Sequence, residues 1–221
     1  MSSPTVGDTA AATIAGLRNE PVQARSNARL TSLLDAAAAV IGEIGYERLT
    51  TAMIAERAKS SIGTVYRYFP DRIAVLHALS ARSMTRFATE GVPLIDSPDH
   101  ATWLDAVGAA LRYWVDAFKG EPGFRSLRFG DVLDLRPRSG EITSNGVVAA
   151  AVVSVLVNRH GRDDDDQLRF RVEIALNMCD AILARAFVFD STGDDRIIGE
   201  ALSAPRNYLV GFYGEPSAPR S

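Results

Sequence analysis

The sequence predicts an all-α protein of about nine helices, and three observations carry that reading. Apolar residues recur at three- and four-residue steps through most of the chain. Gly, Pro or Asp stands at each break between these periodic stretches. No run of alternating β-branched residues supports a strand.

Taken in order, residues 1–24 are rich in Ser, Ala, Thr and Gly, include Pro4 and Pro21, and lack sustained periodicity, so they are expected to form a disordered arm. From Ser26 the texture changes: Leu30, Leu33, Leu34, Ala37, Val40, Ile41 and Ile44 line one face of a first helix that Gly45 ends. Thr50 or Thr51 caps a short second helix holding Ile54, Ala55 and Ala58. Ser61 caps a third through Tyr68, and Asp71 caps a fourth running to about Glu90, after which Pro93 and Pro98 break the chain. Further helices are expected at about 101–119, 123–134, 141–160, 164–190 and 194–212, the last bent by Pro205, with no internal repeat. The division is then an arm over 1–24, a DNA-binding unit over 25–70 and a helical body over 71–221.

A chain of 221 residues, 47% hydrophobic and 23% charged, can bury a substantial core. One cysteine, Cys179, excludes a disulfide within the chain and fits a reducing cytoplasm. No run of eighteen apolar residues exists to span a membrane, and Ala10 to Leu17 is too short and lacks the basic flank of a signal peptide, so a cytoplasmic protein is expected. Net charge is −3 but uneven: residues 1–90 carry ten Arg and Lys against eight Asp and Glu, residues 91–221 fourteen against nineteen. A mildly basic front and an acidic body permit DNA contact at one end.

Residues 51–68 give a short helix, a four-residue turn and a second short helix, the spacing of a helix-turn-helix whose second helix enters the major groove. Ala55 is small where the helices cross, and Ile54, Ala58, Val65 and Phe69 supply the inner faces. Outward, Ser61, Gly63, Thr64, Tyr66 and Arg67 offer short polar or planar groups suited to phosphates and base edges.

The run from Leu49 to Ala58, followed by Ile62 to Phe69 and then Arg72, closely resembles the N-terminal domain of TetR-family regulators. That family's pattern is a helix ending in Gly-Tyr/Phe, a Thr-Thr cap, Ile-Ala-x-x-Ala, then Gly-Thr-x-Tyr-x-Tyr-Phe and a basic residue; residues 26–76 carry the match. The resemblance implies a homodimeric regulator, most often a repressor, that binds a near-palindromic double-stranded DNA operator and is released by a small-molecule inducer. It implies that Thr51, Thr64 and Tyr68 bind phosphates, that Tyr66 touches backbone and thymine methyl groups, that Arg67 reads a base and that Arg72 lies beside the backbone. Two positions depart from the pattern. The turn reads Ala58-Lys59-Ser60-Ser61 in place of Ala-Gly-Val-Ser, so Lys59 must take a left-handed conformation at some cost or the turn must change. Ala52 stands where some members place a base-reading side chain, so the second helix reads little sequence. Such helix pairs also occur as plain packing units, but the fifty-residue pattern outweighs that alternative.

In the body, Trp103, Val107, Ala110, Trp114 and Phe118 form one helical stripe; the tryptophans are eleven residues apart, almost three turns, and so point the same way. Phe124, Leu127, Phe129, Val132 and Leu133 follow, interleaved with Arg125, Arg128 and Asp131. In the resembling family helices four to seven enclose the inducer pocket. The candidate lining is Phe87, Trp103, Val107, Trp114, Phe118, Phe124, Arg128 and Phe129, for a small, largely apolar ligand. For each aromatic, ordinary core packing is the alternative.

Four aspartates, Asp163 to Asp166, open the eighth helix, where the helix dipole explains them and no nearby His or Cys completes a metal site. That helix is apolar on two faces, with Phe170, Ile174, Met178 and Ala181 on one and Val172, Leu176, Cys179 and Leu183 on the other. A surface helix needs only one. The resemblance implies that the last two helices of each subunit form a four-helix dimer bundle, with Ile198, Ala201, Leu202, Leu209 and Phe212 supplying the other half. Cys179 reads as packing.

Against a helical enzyme, His77, His100 and His160 are scattered without His-Glu-x-x-His spacing, and no Gly-rich phosphate loop, Gly-x-Ser-x-Gly elbow or Glu-x-x-His pair occurs. No catalytic residue, cofactor or metal is therefore expected. An adaptor that never touches DNA would leave Arg67 and Arg72 without a role.

Overall fold

The computed structural model describes residues 6–120, 123–125, 144–189 and 192–216, with side chains from Ala24 onward apart from Ser144. Among the described residues the elements are helical: α1 Val6–Ile44, α2 Thr51–Arg57, α3 Ile62–Tyr68, α4 Arg72–Arg86, α5 Val92–Ile95, α6 Trp103–Gly120, α7 Ser144–His160, α8 Asp166–Ala186 and α9 Asp195–Tyr213. A single 3-10 turn, Tyr46–Arg48, precedes α2.

Caps explain most boundaries. Thr50, not Thr51, caps α2, its hydroxyl accepting from the Met53 N–H at 3.2 Å. The Ser61 hydroxyl accepts from the Thr64 N–H at 3.1 Å, and Asp71 accepts from Ala74 N–H at 2.8 Å. Asp165 and Asp194 do the same for α8 and α9. Gly45, at φ 83, ends α1.

Two expectations change. The backbone of residues 6–24, expected as a disordered arm, continues α1 as helix; Ala10 to Ala12, Ala15 and Leu17 favour that state despite Gly16 and Pro21. Pro93 does not break the chain: α4 passes through a π turn, Phe87–Gly91, directly into α5, and the break comes only after Ile95. In a π turn the wider ring leaves a carbonyl without its usual i+4 donor, so a proline in the next turn, lacking an N–H, removes nothing that was needed.

Packing divides the chain into two cores. The head buries Leu33, Ala37, Ile41, Ile54, Val65, Phe69, Leu76 and Leu79, contributed by α1 through α4. The body buries Trp114, Phe118, Val152, Leu156, Leu176, Leu183 and Leu209, from α6 to α9. Phe87, just past α4, belongs to the body core, so one continuous helical rod joins the two. Of the helix expected over 123–134, residues 123–125 are described and helical; Arg128 and Phe129 lie outside the described residues.

Candidate DNA-binding face and ligand-binding body

The recognition unit is set from inside. Ile54 and Ala55 of α2 and Val65 of α3 are buried together, fixing the crossing of the two helices. Between them Lys59 adopts φ 48, the left-handed geometry that the family's glycine supplies. The Arg57 guanidinium forks onto Glu43 at 2.8 and 2.6 Å, tying α2 to α1, and the same contact holds the Glu43 carboxyl below the usual carboxylate range.

At α3 the N-cap Ser61 is exposed, as are Gly63, Tyr66 and Arg67 within the helix, and Thr64 is half-buried. The Ser61 and Thr64 hydroxyls bond each other at 2.9 Å, which holds both oxygens in place. Tyr66 is 52% exposed, an uncommon state for a large ring without an external partner. A Cβ added at Gly63 would meet nothing nearer than the Ser61 hydroxyl at 4.0 Å, so no packing within the chain requires glycine there. The space lies outside.

Other expected DNA residues are placed differently. Thr51 is half-buried in the first turn of α2. Tyr68 turns toward α1, its hydroxyl 3.1 Å from that of Ser26. Arg72 is half-buried and donates to the Glu47 carbonyl at 2.8 Å, bracing the start of α4 against the turn before α2.

In the body, Phe87, Trp114, Phe118 and Phe124 come together. The Trp114 ring stands edge-on to Phe87 at 6.3 Å and to Phe124 at 5.7 Å, and Phe124 is edge-on to Phe118 at 5.3 Å. Trp103 is not among them. Eleven residues put it about 16 Å away along α6, where it packs on Tyr213 and lies 4.8 Å beneath the Arg162 guanidinium. Val107 is buried on the same helix. Sharing a helical stripe gave the two rings one direction but not one site.

Three polar residues join the aromatic group that periodicity did not single out. The Trp114 indole N–H donates to the Asp180 carboxylate, whose other oxygen accepts from the Asn145 amide at 2.8 Å; that amide also donates to Asn177 at 2.6 Å. The signal was present in α8: Asp180 interrupts the otherwise apolar run of Met178, Cys179, Ala181, Ile182 and Leu183. A carboxylate there is costly unless it is bonded.

Where head meets body, a cleft of about 410 Å³ is lined by residues including Asp35, Ala38, Leu79, Arg82, Gly123 and Phe124. Arg82 pairs with Asp35 at 2.6 Å on its wall. Phe124 therefore faces the cleft and also the Trp114 ring.

The aspartate run has no unexplained charge at its centre: Asp165 caps α8, while Asp164 and Asp166 pair with Arg169. Among the described residues no cluster of His, Cys, Asp or Glu could hold a metal, and no helix is long and apolar enough to cross a membrane.

Residues 33–79 match the family described as bacterial regulatory proteins, tetR family, and residues 101–213 match the tetracyclin repressor-like C-terminal domain. The chain belongs to the TetR family. That is a family of regulatory proteins rather than enzymes. A TetR-family transcriptional regulator from Streptomyces coelicolor superposes with a TM-score of 0.65 at 30% identity, over 82% of this chain and 97% of that one. The HTH-type transcriptional repressor KstR of Rhodococcus jostii is 38% identical over 63 residues, 28% of this chain and 30% of the relative. The A-factor receptor protein of Streptomyces griseus is 38% identical over 74 residues, 33% of this chain and 27% of the relative. The chain thus aligns with about a third or less of the length of KstR and of the A-factor receptor protein.

In this TetR-family chain, α8 and α9 run antiparallel, with Arg171 donating to the Tyr208 hydroxyl at 3.0 Å near one end and Asp194 N–H donating to the Ala186 carbonyl at the other. The two apolar faces of α8 separate as expected. Val172, Leu176, Cys179 and Leu183 are buried in the body core, whereas Phe170 is 53% exposed, Ala181 is exposed, and Ile174 and Met178 are half-covered. The α9 expectation is partly corrected: Ile198, Ala201 and Leu209 point into the chain's own core, leaving Leu202 and Phe212 toward the surface.

Proposed function

We propose that this protein is a ligand-responsive transcriptional repressor of the cytoplasm, binding a near-palindromic DNA operator as a homodimer and releasing it when a small, largely apolar ligand occupies the body. The observation that carries the reading is the outward side of α3, where Ser61, Gly63 and Tyr66 stand exposed beside the half-buried Thr64, over the buried core of the head. In this reading Thr51, Ser61 and Thr64 meet phosphates, Gly63 lets the duplex backbone come close and Tyr66 enters the groove. KstR is named a transcriptional repressor and the A-factor receptor is named for a ligand, and both names support repression under ligand control.

The ligand site is assigned to the Phe87, Trp114, Phe118 and Phe124 group, with the Asp180 carboxylate and the Asn145 and Asn177 amides supplying its polar contacts. Inverting a 1:99 population needs about 5.5 kcal/mol of differential binding, shared between two equivalent sites in a dimer. By reciprocity, operator DNA must weaken ligand affinity by the same total factor.

The test is a gel-shift assay on the protein's own upstream region, with ligands found by a thermal-shift screen and then scored for release. Tyr66→Ala should abolish the specific complex while leaving the fold intact. Absence of any specific complex for the wild-type protein would instead favour an adaptor or enzyme on the same fold.

A further inference from the structure

We propose that Arg25, Arg29 and Arg67 form a clamp for a DNA backbone phosphate at the flank of the recognition helix, making α1 a second DNA-gripping element. The proposal rests on the DNA-binding reading above; Arg25 and Arg29 lie outside the matched N-terminal family segment, residues 33–79, and Arg67 lies within it.

A cleft of about 530 Å³ between α1 and α3 is lined by Arg25, Ser26, Arg29, Arg67 and Tyr68, three cations without a carboxylate. Its shape is held by the chain itself. The Tyr68 hydroxyl bonds the Ser26 hydroxyl at 3.1 Å and reaches the Ser26 carbonyl at 3.5 Å, fastening α1 to the end of α3. The Arg67 guanidinium lies 5.4 Å from the centre of the Tyr68 ring, directed to this side of α3.

The charge pattern points to an anion. Arg57, Arg82, Arg86, Arg159 and Arg169 each pair with a carboxylate of this chain. Arg25, Arg29 and Arg67 pair with none among the described residues. Arg25 and Arg29 are four residues apart on one helix, neighbours on one face where like charges repel. Together with Arg67 they gain from an anion that fits planar, forked donors, and phosphate is that anion. The cleft adjoins the exposed side of α3, so a duplex seated on Tyr66 has its backbone within reach of it. Arg67, expected from the resemblance to read a base, is thereby assigned to backbone gripping.

The decisive measurement compares the full-length protein with an Arg25→Ala/Arg29→Ala variant, titrating operator DNA over a range of salt concentrations. Each phosphate neutralised contributes about 0.9 to the slope of log affinity against log salt, so releasing one phosphate per subunit should flatten a dimer's slope by up to about 2 units. Preferences across a panel of mutated operators should stay unchanged, and Arg25→Lys/Arg29→Lys should restore most of the slope. Both arginines are exposed, and matching thermal unfolding will confirm an intact fold. An unchanged slope overturns the clamp while the wild-type complex still upholds the regulator reading. Loss of every wild-type complex overturns both. A parallel thermal-shift titration with inorganic phosphate separates the sources: phosphate stabilising wild type but not the alanine variant, with no change in DNA slope, would assign the cleft to a free anion and overturn the DNA role.

Discussion

At the scale of single residues, the turn between α2 and α3 contains a local conflict. Lys59 sits at φ 48, which costs a side-chain-bearing residue about 1 kcal/mol or more relative to glycine. Lys59→Gly is therefore expected to raise stability by up to about 1 kcal/mol, read from the urea midpoint at constant slope. No gain would mean that the lysine is held by compensating contacts. This position was legible in the sequence because a conformation, not a partner, was at stake. The caps Ser61 and Asp71 were legible for a similar reason, since each acts within three residues. The partners of Tyr68 and Arg72 were not: Ser26 lies 42 residues from Tyr68 and Glu47 lies 25 from Arg72, so only the folded chain brings them together.

At the scale of elements, the contact that matters is between the short helical turn at residues 123–125 and α1. A Cβ added at Gly123 would lie 2.9 Å from the Ala38 Cα and 3.0 Å from its Cβ, so backbone meets backbone where body touches head. Gly123→Ala must push these elements apart, at an overpacking cost of about 1–3 kcal/mol. The expected result is weaker operator binding without ligand, with the protein still folded. Gly120→Ala is the control, because a Cβ there meets nothing within 4 Å. Equal behaviour of the two variants in gel shift and thermal unfolding would remove Gly123 from the coupling. Helix existence and order were readable from apolar spacing. The passage through Pro93 was not, because a π turn at Phe87–Gly91 leaves no periodic signature in so short a span.

At the scale of the whole molecule, the outer face of α8 and α9 has apolar groups left over after the body core is filled. Phe170→Glu and Ala181→Glu place charges on that face without touching the core, and the expected outcome is a folded monomer that binds the operator weakly. Sedimentation showing an intact dimer in both variants would move the interface elsewhere. Leu176→Glu makes a different prediction: at 3% exposure it buries a charge within the subunit and should unfold the chain rather than merely separate two copies. The two apolar faces of α8 were visible in the sequence, but which of them faces the chain's own core was not, because both have the same period. For the same reason Ile198, Ala201 and Leu209 were expected at the dimer surface and are found inside.

The placement of Trp103 and Trp114 has a spectroscopic consequence. The chain carries two tryptophans, both on α6 and none in the head. Excitation at the red edge of protein absorbance therefore illuminates only the body. One emitter is hydrogen-bonded to the Asp180 carboxylate and ringed by Phe87 and Phe124; the other lies under the Arg162 guanidinium. Operator DNA seated on α3 touches neither. Any change in emission on adding DNA must therefore have travelled through the protein, which makes the unlabelled chain its own optical gauge of communication between head and body.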